Sequence, residues 1–249
     1  MSAARDGVIK PAASPCSILF SAATAGYLAQ EDEQATQVSR HMAFALALAR
    51  AREQLVWIFS PARGPGSTGI LVSARDNGAT DNTVTVVLAV SDEIRELAGR
   101  VSGPLSRTPH ADFEVMDLIG EPEAARSTPL GVRLFWDQEA GRLTIVGFGS
   151  ALAPSHADAR LAQRFRKAAE QQAHLRAKSE LSRFLNGESA HHGGPQGQIG
   201  RHTAVSRGPV PAGARTRLIS GPDSHWVYAA SIYSAELPNP ADPRGGPGE

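Results

Sequence analysis

Residues 143–187 carry an order of apolar and polar positions that predicts a strand followed by one long amphipathic helix. Leu143–Phe148 is nearly all apolar and predicts a strand, which would end in the small turn Gly147-Phe148-Gly149. From Ser155 to Leu185 the apolar residues recur every three or four positions, the period of an α-helix. These positions are Leu161, Phe165, Ala169, Ala173, Ala177, Leu181 and Phe184.

The ends and the two faces of this predicted helix indicate how it packs. Ser155 with Asp158 resembles a capping box, and Asn186-Gly187 supplies a left-handed stop. Small alanines on the apolar face let a helix lie close to a sheet. The opposite face is polar and consists of Arg164, Lys167, Gln171, His174, Lys178 and Ser182. We therefore expect the helix to cover a sheet and to turn a charged face to water.

The first half of the chain shows the same order of elements. Cys16–Phe20 predicts a strand, Ser21–Gly26 a turn of small residues, and acidic residues from Glu31 open an Ala-rich helix that ends near Phe59. The elements that follow are predicted at Ile70–Val72 (strand), Thr83–Val90 (strand) and Ser91–Val101 (short helix capped by Ser91). In the second half, further strands are predicted at Val132–Trp136, Arg217–Ser220 and Trp226–Ser234.

Several residues of the two halves match when the halves are aligned without gaps. The pairs are Ala25 with Ala151, Ala43 with Ala169, Ala47 with Ala173, Arg50 with Arg176, Ala51 with Ala177, Arg52 with Lys178 and Leu55 with Leu181. Ile70–Ser73 also resembles Arg217–Ser220. Two Ala-rich helices can align through composition alone, but the agreement of order and residues favours an internal repeat.

The expected fold is α+β, with two tandem similar modules, each a long Ala-rich helix packed on a small antiparallel sheet. The modules are expected at residues 16–101 and 131–236, joined by a proline-containing linker at 102–130. Tails at 1–15 and 237–249 are predicted to be disordered, and 190–213 is predicted to be a long mobile loop.

The composition of the chain argues against several classes of protein. Lys and Arg total 25 and Asp and Glu total 25, so the chain lacks the basic surplus typical of nucleic-acid binding. A single cysteine, Cys16, rules out an internal disulfide, and no apolar run is long enough for a membrane span. Ala13-Ser14-Pro15-Cys16 is similar to a lipidation box, but the apolar run before it is missing, and an inert thiol is favoured.

Candidate chemistry is sparse. Gly147-Phe148-Gly149 is half of a dinucleotide-binding fingerprint, whose third glycine would fall at Leu152. His191-His192 and His202 could bind a metal, but no carboxylate or thiol stands at ligand spacing. Arg50 and Arg176 are expected to lie along packed helix faces. The sequence therefore predicts no catalytic, cofactor-binding or metal-binding residue, with nucleotide or small-ligand binding at Gly147–Gly149 as the alternative.

The second half resembles the LPP20-like lipoprotein family and the related N-terminal module of the flagellar assembly protein of Vibrio-type bacteria. The resemblance lies in Leu143–Ala151, in Ala157–Ala162 with Ala169–Leu185, and in the strand Trp226–Tyr233. It covers roughly residues 130–236. It implies an envelope-associated, structural or adhesive role and no catalytic residues.

The expected function is that of a non-enzymatic structural or interaction protein of bacterial type, associated with the envelope or the flagellum if the resemblance holds. A protein partner or self-association is expected, with Trp226–Ser234 as an edge strand that a partner extends. Residues 1–15 lack the hydrophobic core of a signal peptide, which by sequence indicates the cytoplasm.

Overall fold

The computed structural model describes residues 7–9, 18–59, 64–78, 81–101, 129–137, 142–191, 203–206, 208–219 and 225–236. Within these ranges, helices and antiparallel sheets form the α+β fold that the sequence predicts. The helices are α1 (Glu33–Phe59), α2 (Asp92–Val101) and α3 (Ala159–Asn186).

Each of the two long helices packs on its own four-stranded antiparallel sheet. The first has the order β1-β2-β4-β3, from strands β1 (Gly7–Ile9), β2 (Leu19–Gly26), β3 (Ile70–Asp76) and β4 (Thr83–Val90). The second has the order β5-β6-β10-β9, from β5 (Gly131–Asp137), β6 (Arg142–Leu152), β9 (Arg215–Ile219) and β10 (Trp226–Glu236). A separate pair joins β7 (Glu188–His191) to β8 (Thr203–Ser206).

The two sheets share one order of strands along the chain. In each, an outer strand pairs with a central strand, a long helix follows, and a second outer strand precedes the second central strand. The pairs Ala43 with Ala169 and Ala47 with Ala173, matched in sequence, are all buried. These features agree with the predicted internal repeat, which stays a prediction.

The small residues predicted to be turns belong to the central strands instead. β2 continues through Ser21–Gly26, and β6 continues through Gly147–Gly149 to Leu152, so both predicted strand ends were wrong. The reason is steric, because the helix lies so close to these strands that larger side chains would not fit. A Cβ at Gly149 would lie 2.2 Å from the amide nitrogen of Ala177, and one at Gly147 would lie 2.6 Å from that of Leu181.

The helix caps follow the sequence in part. Asp158, rather than Ser155, is the N-cap of α3 and accepts from the backbone N–H of Arg160 at 2.7 Å. Gly187 ends the helix with φ +77°, a value that favours glycine, but its ψ of 177° is not that of the left-handed stop that the sequence predicts. Ser91 accepts from the N–H of Ile94 at 3.1 Å and caps α2 as expected.

The buried face of α3 is the alanine face that the sequence predicts, and it continues into Leu181 and Phe184. The first two predicted positions differ, since Leu161 is half-buried and Phe165 is 39% exposed. Ser182, predicted to face water, is buried and donates to the carbonyl of Gly208 at 2.6 Å.

Three further expectations need correction. Gly7–Ile9, in the predicted disordered tail, pairs with β2. The predicted mobile loop 190–213 contains the end of β7 and all of β8, and residues 208–213 of it are also described. β10 is a central strand that pairs with β6 along 226–236 and with β9 at 228–232, so it is not the edge strand predicted at Trp226–Ser234. Most of the predicted linker (102–128) and the tail 237–249, with Cys16, His192 and His202, lie outside the described residues.

The closeness of α3 to β6 leads to a stability prediction. Gly149→Ala should destabilise the fold by about 3 kcal/mol, because the added methyl group meets backbone atoms of α3 that move only with the whole helix. Gly99→Ala is the matched control, since Gly99 lies in α2 with nothing within 4 Å of its Cβ position. It should be neutral or stabilising by up to about 1 kcal/mol. Urea unfolding of the two variants measures both effects, and equal stabilities would contradict the close packing.

Candidate functional site

A cleft of about 890 Å³ lies between α1 and α3. It opens beside residues 149–152 of β6, which β5 leaves uncovered because the ladder between these strands stops at Phe148. Most of its lining is apolar and includes Met42, Ala45, Leu48, Phe148, Phe165 and Trp226. Alanines on both helices leave this space, because a small side chain does not reach across to the other helix.

Three large apolar side chains of the cleft are open to solvent. Met42 is 63% exposed, Phe165 39% and Leu152 37%. They belong to α1, α3 and the end of β6, so three different elements contribute exposed apolar surface to the cleft. Clustered exposed apolar side chains at a concave site are typical of binding surfaces.

His41 of α1 joins the first half of the chain to the second sheet. Its Nε2 lies 2.8 Å from Oγ of Ser150, a hydrogen bond in which the tautomer decides the donor. Its ring stacks on Trp226 with 3.5 Å between centroids and 23° between planes. His41 is only 4% exposed, so its imidazole is buried where α1 meets the second sheet.

The His41–Ser150 pair lacks the features of a hydrolytic dyad. Burial, with the positive charges of Arg176 and Arg40, lowers the pKa of His41 to about 3, so the ring stays neutral and resists taking a proton from Ser150. Its Nδ1 has no hydrogen-bond partner among the described residues, whereas a catalytic histidine needs an acceptor there to orient it.

An ion pair links the two helices at the cleft. Arg52 donates from Nη1 to Oε1 of Glu180 at 2.9 Å and from Nη2 to Oε2, and Arg183 donates to Oε1 at 3.2 Å. Burial opposes the charge of Glu180, but Arg52, with help from Arg183, outweighs it and keeps the pKa of Glu180 below its ordinary value. The carboxylate is therefore ionised and engaged, which makes it a poor general acid or base.

Arg50 and Arg176, which match when the two halves are aligned, each donate a hydrogen bond to a carbonyl group of a central strand. Arg176 donates to the carbonyl of Ser150 at 2.6 Å, and Arg50 donates to that of Thr24 at 3.0 Å. The carbonyl of Ser150 lies beyond the last pairing of β6 with β5, and that of Thr24 lies beyond the last described pairing of β2 with β1. The two arginines differ in setting, because Arg176 lines the cleft and Arg50 does not.

The residues considered for chemistry in the sequence are not brought together. Gly147 and Gly149 lie beneath α3, whose backbone fills the space a phosphate would need. His191 lies in β7, and His192 and His202 lie outside the described residues. Within the described ranges, no three His, Cys, Asp or Glu side chains cluster as metal ligands, and no helix has the length and apolar character to cross a bilayer.

His41, Ser150 and Glu180 were missed by sequence reasoning. Ser150 and His41 are 109 residues apart, and Arg52 and Glu180 are 128 apart. The residue matches between the halves included two arginines of the cleft, Arg52 and Arg176, but nothing in the sequence indicated that these two lie together.

No protein-family model matches the chain, and no curated protein shows significant similarity to it. Among solved structures, the chain is similar to a hypothetical protein, FTT1539c, from Francisella tularensis, with 10% sequence identity and a TM-score of 0.37. This similarity covers 88% of the chain and 83% of the Francisella protein.

The pKa of His41 predicts an acid dependence of stability. The pKa of His41 is about 3 in the folded protein and the ordinary pKa of histidine is 6.5, so between these values only the unfolded chain binds the proton. The contribution to stability is complete above about pH 6.5 and decreases as the pH falls towards about 3. From about pH 7 to 5, wild type should lose about 2 kcal/mol more stability than His41→Phe, as urea unfolding can measure. Parallel losses in the two proteins would contradict this account.

The ion pair predicts a second difference in stability. Arg52→Met should cost about 3 kcal/mol, because Glu180 stays buried with one arginine fewer. Arg100→Met is the control, since the Arg100–Glu96 pair is more than 60% exposed on both side chains and its loss should cost about 0.5 kcal/mol or less. Thermal or urea unfolding compares the variants, and equal costs would show that the buried pair contributes no more than an exposed one.

Proposed function

We propose that the chain is a non-enzymatic interaction protein that binds an apolar chain or side chain of its ligand in the cleft between α1 and α3. The observation that carries this proposal is the exposed apolar surface of Met42, Leu152 and Phe165 around a cleft of about 890 Å³. A cavity of this size is within the range of small-molecule sites, roughly 300–1,000 Å³. Burying such side chains against a ligand supplies the free energy of binding.

The polar groups of the cleft support binding rather than catalysis. His41 is held neutral, Ser150 has no activated base beside it, and Glu180 is held by arginines. Each of these groups is already engaged in holding α1 to α3 or to β6. Their contacts fix the shape of the cleft, which is what a preformed binding site requires.

The family resemblance extends the same proposal. A long Ala-rich helix on an antiparallel sheet, which the resemblance to LPP20-like modules implies, is present in the second half of the chain. A structural role in a bacterial envelope or flagellum belongs to the proposal on that basis. The cleft replaces β10 as the proposed interaction surface, because β10 has hydrogen-bonded neighbours on both sides.

A neutral apolar fluorophore, N-phenyl-1-naphthylamine, tests the proposal. Wild-type protein should bind it with increased probe fluorescence, and Phe165→Ser should weaken binding about tenfold by removing an apolar contact. Leu175→Ser is the matched control, because Leu175 is 61% exposed on the same helix but does not line the cleft. It should bind the probe as wild type does.

Two results would overturn the proposed function. One is the absence of probe binding to the folded wild-type protein. The other is an equal loss of binding in Phe165→Ser and Leu175→Ser, which would place the probe on general apolar surface rather than in the cleft.

A further inference from the structure

We infer that the ligand of this cleft is a single-chain amphiphile with an acidic headgroup, its chain among the apolar walls and its head beside Arg176. This inference rests on the proposed function, since it names the class of ligand for the same cleft. Carboxylate and phosphate heads share the required chemistry, which is a compact anion that accepts hydrogen bonds.

The charges that line the cleft do not balance. Among the described residues that line the cleft, three arginines, Arg52, Arg176 and Arg183, face one carboxylate, that of Glu180, and His41 is neutral. Glu180 is engaged by Arg52 and Arg183. Arg176 makes no ion pair with an acidic side chain in the described part of the chain. The cleft therefore has a surplus of positive charge next to an apolar lining.

Arg176 is oriented before any ligand arrives. Its Nη1 donates to the carbonyl of Ser150 at 2.6 Å, at the uncovered end of β6. An arginine has five N–H donors in a planar fork, so this one bond leaves the geometry for bidentate contact with a carboxylate or phosphate. A guanidinium that is already oriented loses less freedom on binding than a flexible one.

The rest of the cleft suits an acyl chain better than a polar ligand. Ala45 and Ala49 of α1 stand in the lining with Ala168 and Ala169 of α3, and none of these side chains offers a hydrogen bond. Gln172 and Ser179 also line the cleft, but against these alanines a nucleotide or sugar would lose its hydration without compensation, whereas a hydrocarbon chain gains from leaving water. Positive charge beside an apolar wall is thus complementary to an acidic amphiphile.

Displacement of bound N-phenyl-1-naphthylamine tests the inference with three ligands of equal chain length, used below the concentrations at which they form micelles. These are palmitate, hexadecyl phosphate and the neutral hexadecanol. At least one acid should displace the probe about tenfold more effectively than hexadecanol, and the stronger acid identifies the headgroup. High salt should weaken the acids and leave hexadecanol unchanged.

The chain offers a matched pair of variants. Arg176→Gln should remove the preference for the acids over hexadecanol, while Arg50→Gln should keep it, because Arg50 makes the equivalent bond to a strand carbonyl outside the cleft. Arg176→Lys keeps the charge and should retain part of the preference. If Arg176→Gln does not fold, Arg176→Lys and the salt dependence of the wild type decide the question.

The failures of the two proposals are distinguishable. Probe binding with no preference for either acid in wild type, or an equal effect of Arg176→Gln and Arg50→Gln, overturns the inference and leaves the proposed function standing. Absence of probe binding overturns both. A hydrophobic peptide with a free C-terminal carboxylate serves as a further competitor, and tighter binding of this peptide than of either acid would overturn the assignment to a lipid-like ligand.

Discussion

The closeness of a helix backbone to a central strand is the constraint on which this fold depends. Gly147 and Gly149 of β6 lie so near the backbone of α3 that a Cβ on either would overlap it. On the first sheet, Ser21 of β2 donates from its hydroxyl to the carbonyl of Ala51 in α1 at 2.7 Å, so that helix too is near its strand. Both contacts require small residues on the strand and alanine on the helix, because larger side chains would push the layers apart.

The same small residues account for the cleft. Alanine lies on two faces of each helix, one against its own sheet and the other towards the neighbouring helix. The first set brings the helix down onto the sheet, and the second leaves space between α1 and α3. Arg52 spans that space with its ion pair to Glu180 of α3. His41 holds α1 to the second sheet, through its ring stacked on Trp226 and its hydrogen bond with Ser150. Each helix thus packs tightly on its own sheet, while open space remains between the two helices.

Most elements of the fold could be predicted because they follow from local patterns. The period of α3, the β-branched run of β4 and the cap at Ser91 each predict an element that the structure contains. The ends of β2 and β6 could not be predicted in this way. Gly and Ala are typical of turns when the chain is considered locally, and only the position of the helix above them explains why they continue a strand.

The candidate site could not be predicted from local patterns in the sequence. Ser150 and Glu180 become part of one cleft with His41 and Arg52 only because α1 reaches the second sheet, and no spacing in the sequence indicates that contact. The match between Arg50 and Arg176 was visible, but its meaning depends on which strand carbonyls these side chains reach in the fold. The predicted edge at β10 failed for the same reason, since strand order is a property of the whole sheet.

The contact between α3 and β6 can be measured directly by nuclear Overhauser effects in the protein labelled with ¹⁵N and ¹³C. The account predicts strong effects between the α-protons of Gly149 and the amide proton of Ala177, because the strand and helix backbones touch at this point. Their absence from a well-resolved spectrum, with side-chain protons lying between Gly149 and the helix instead, would contradict the account.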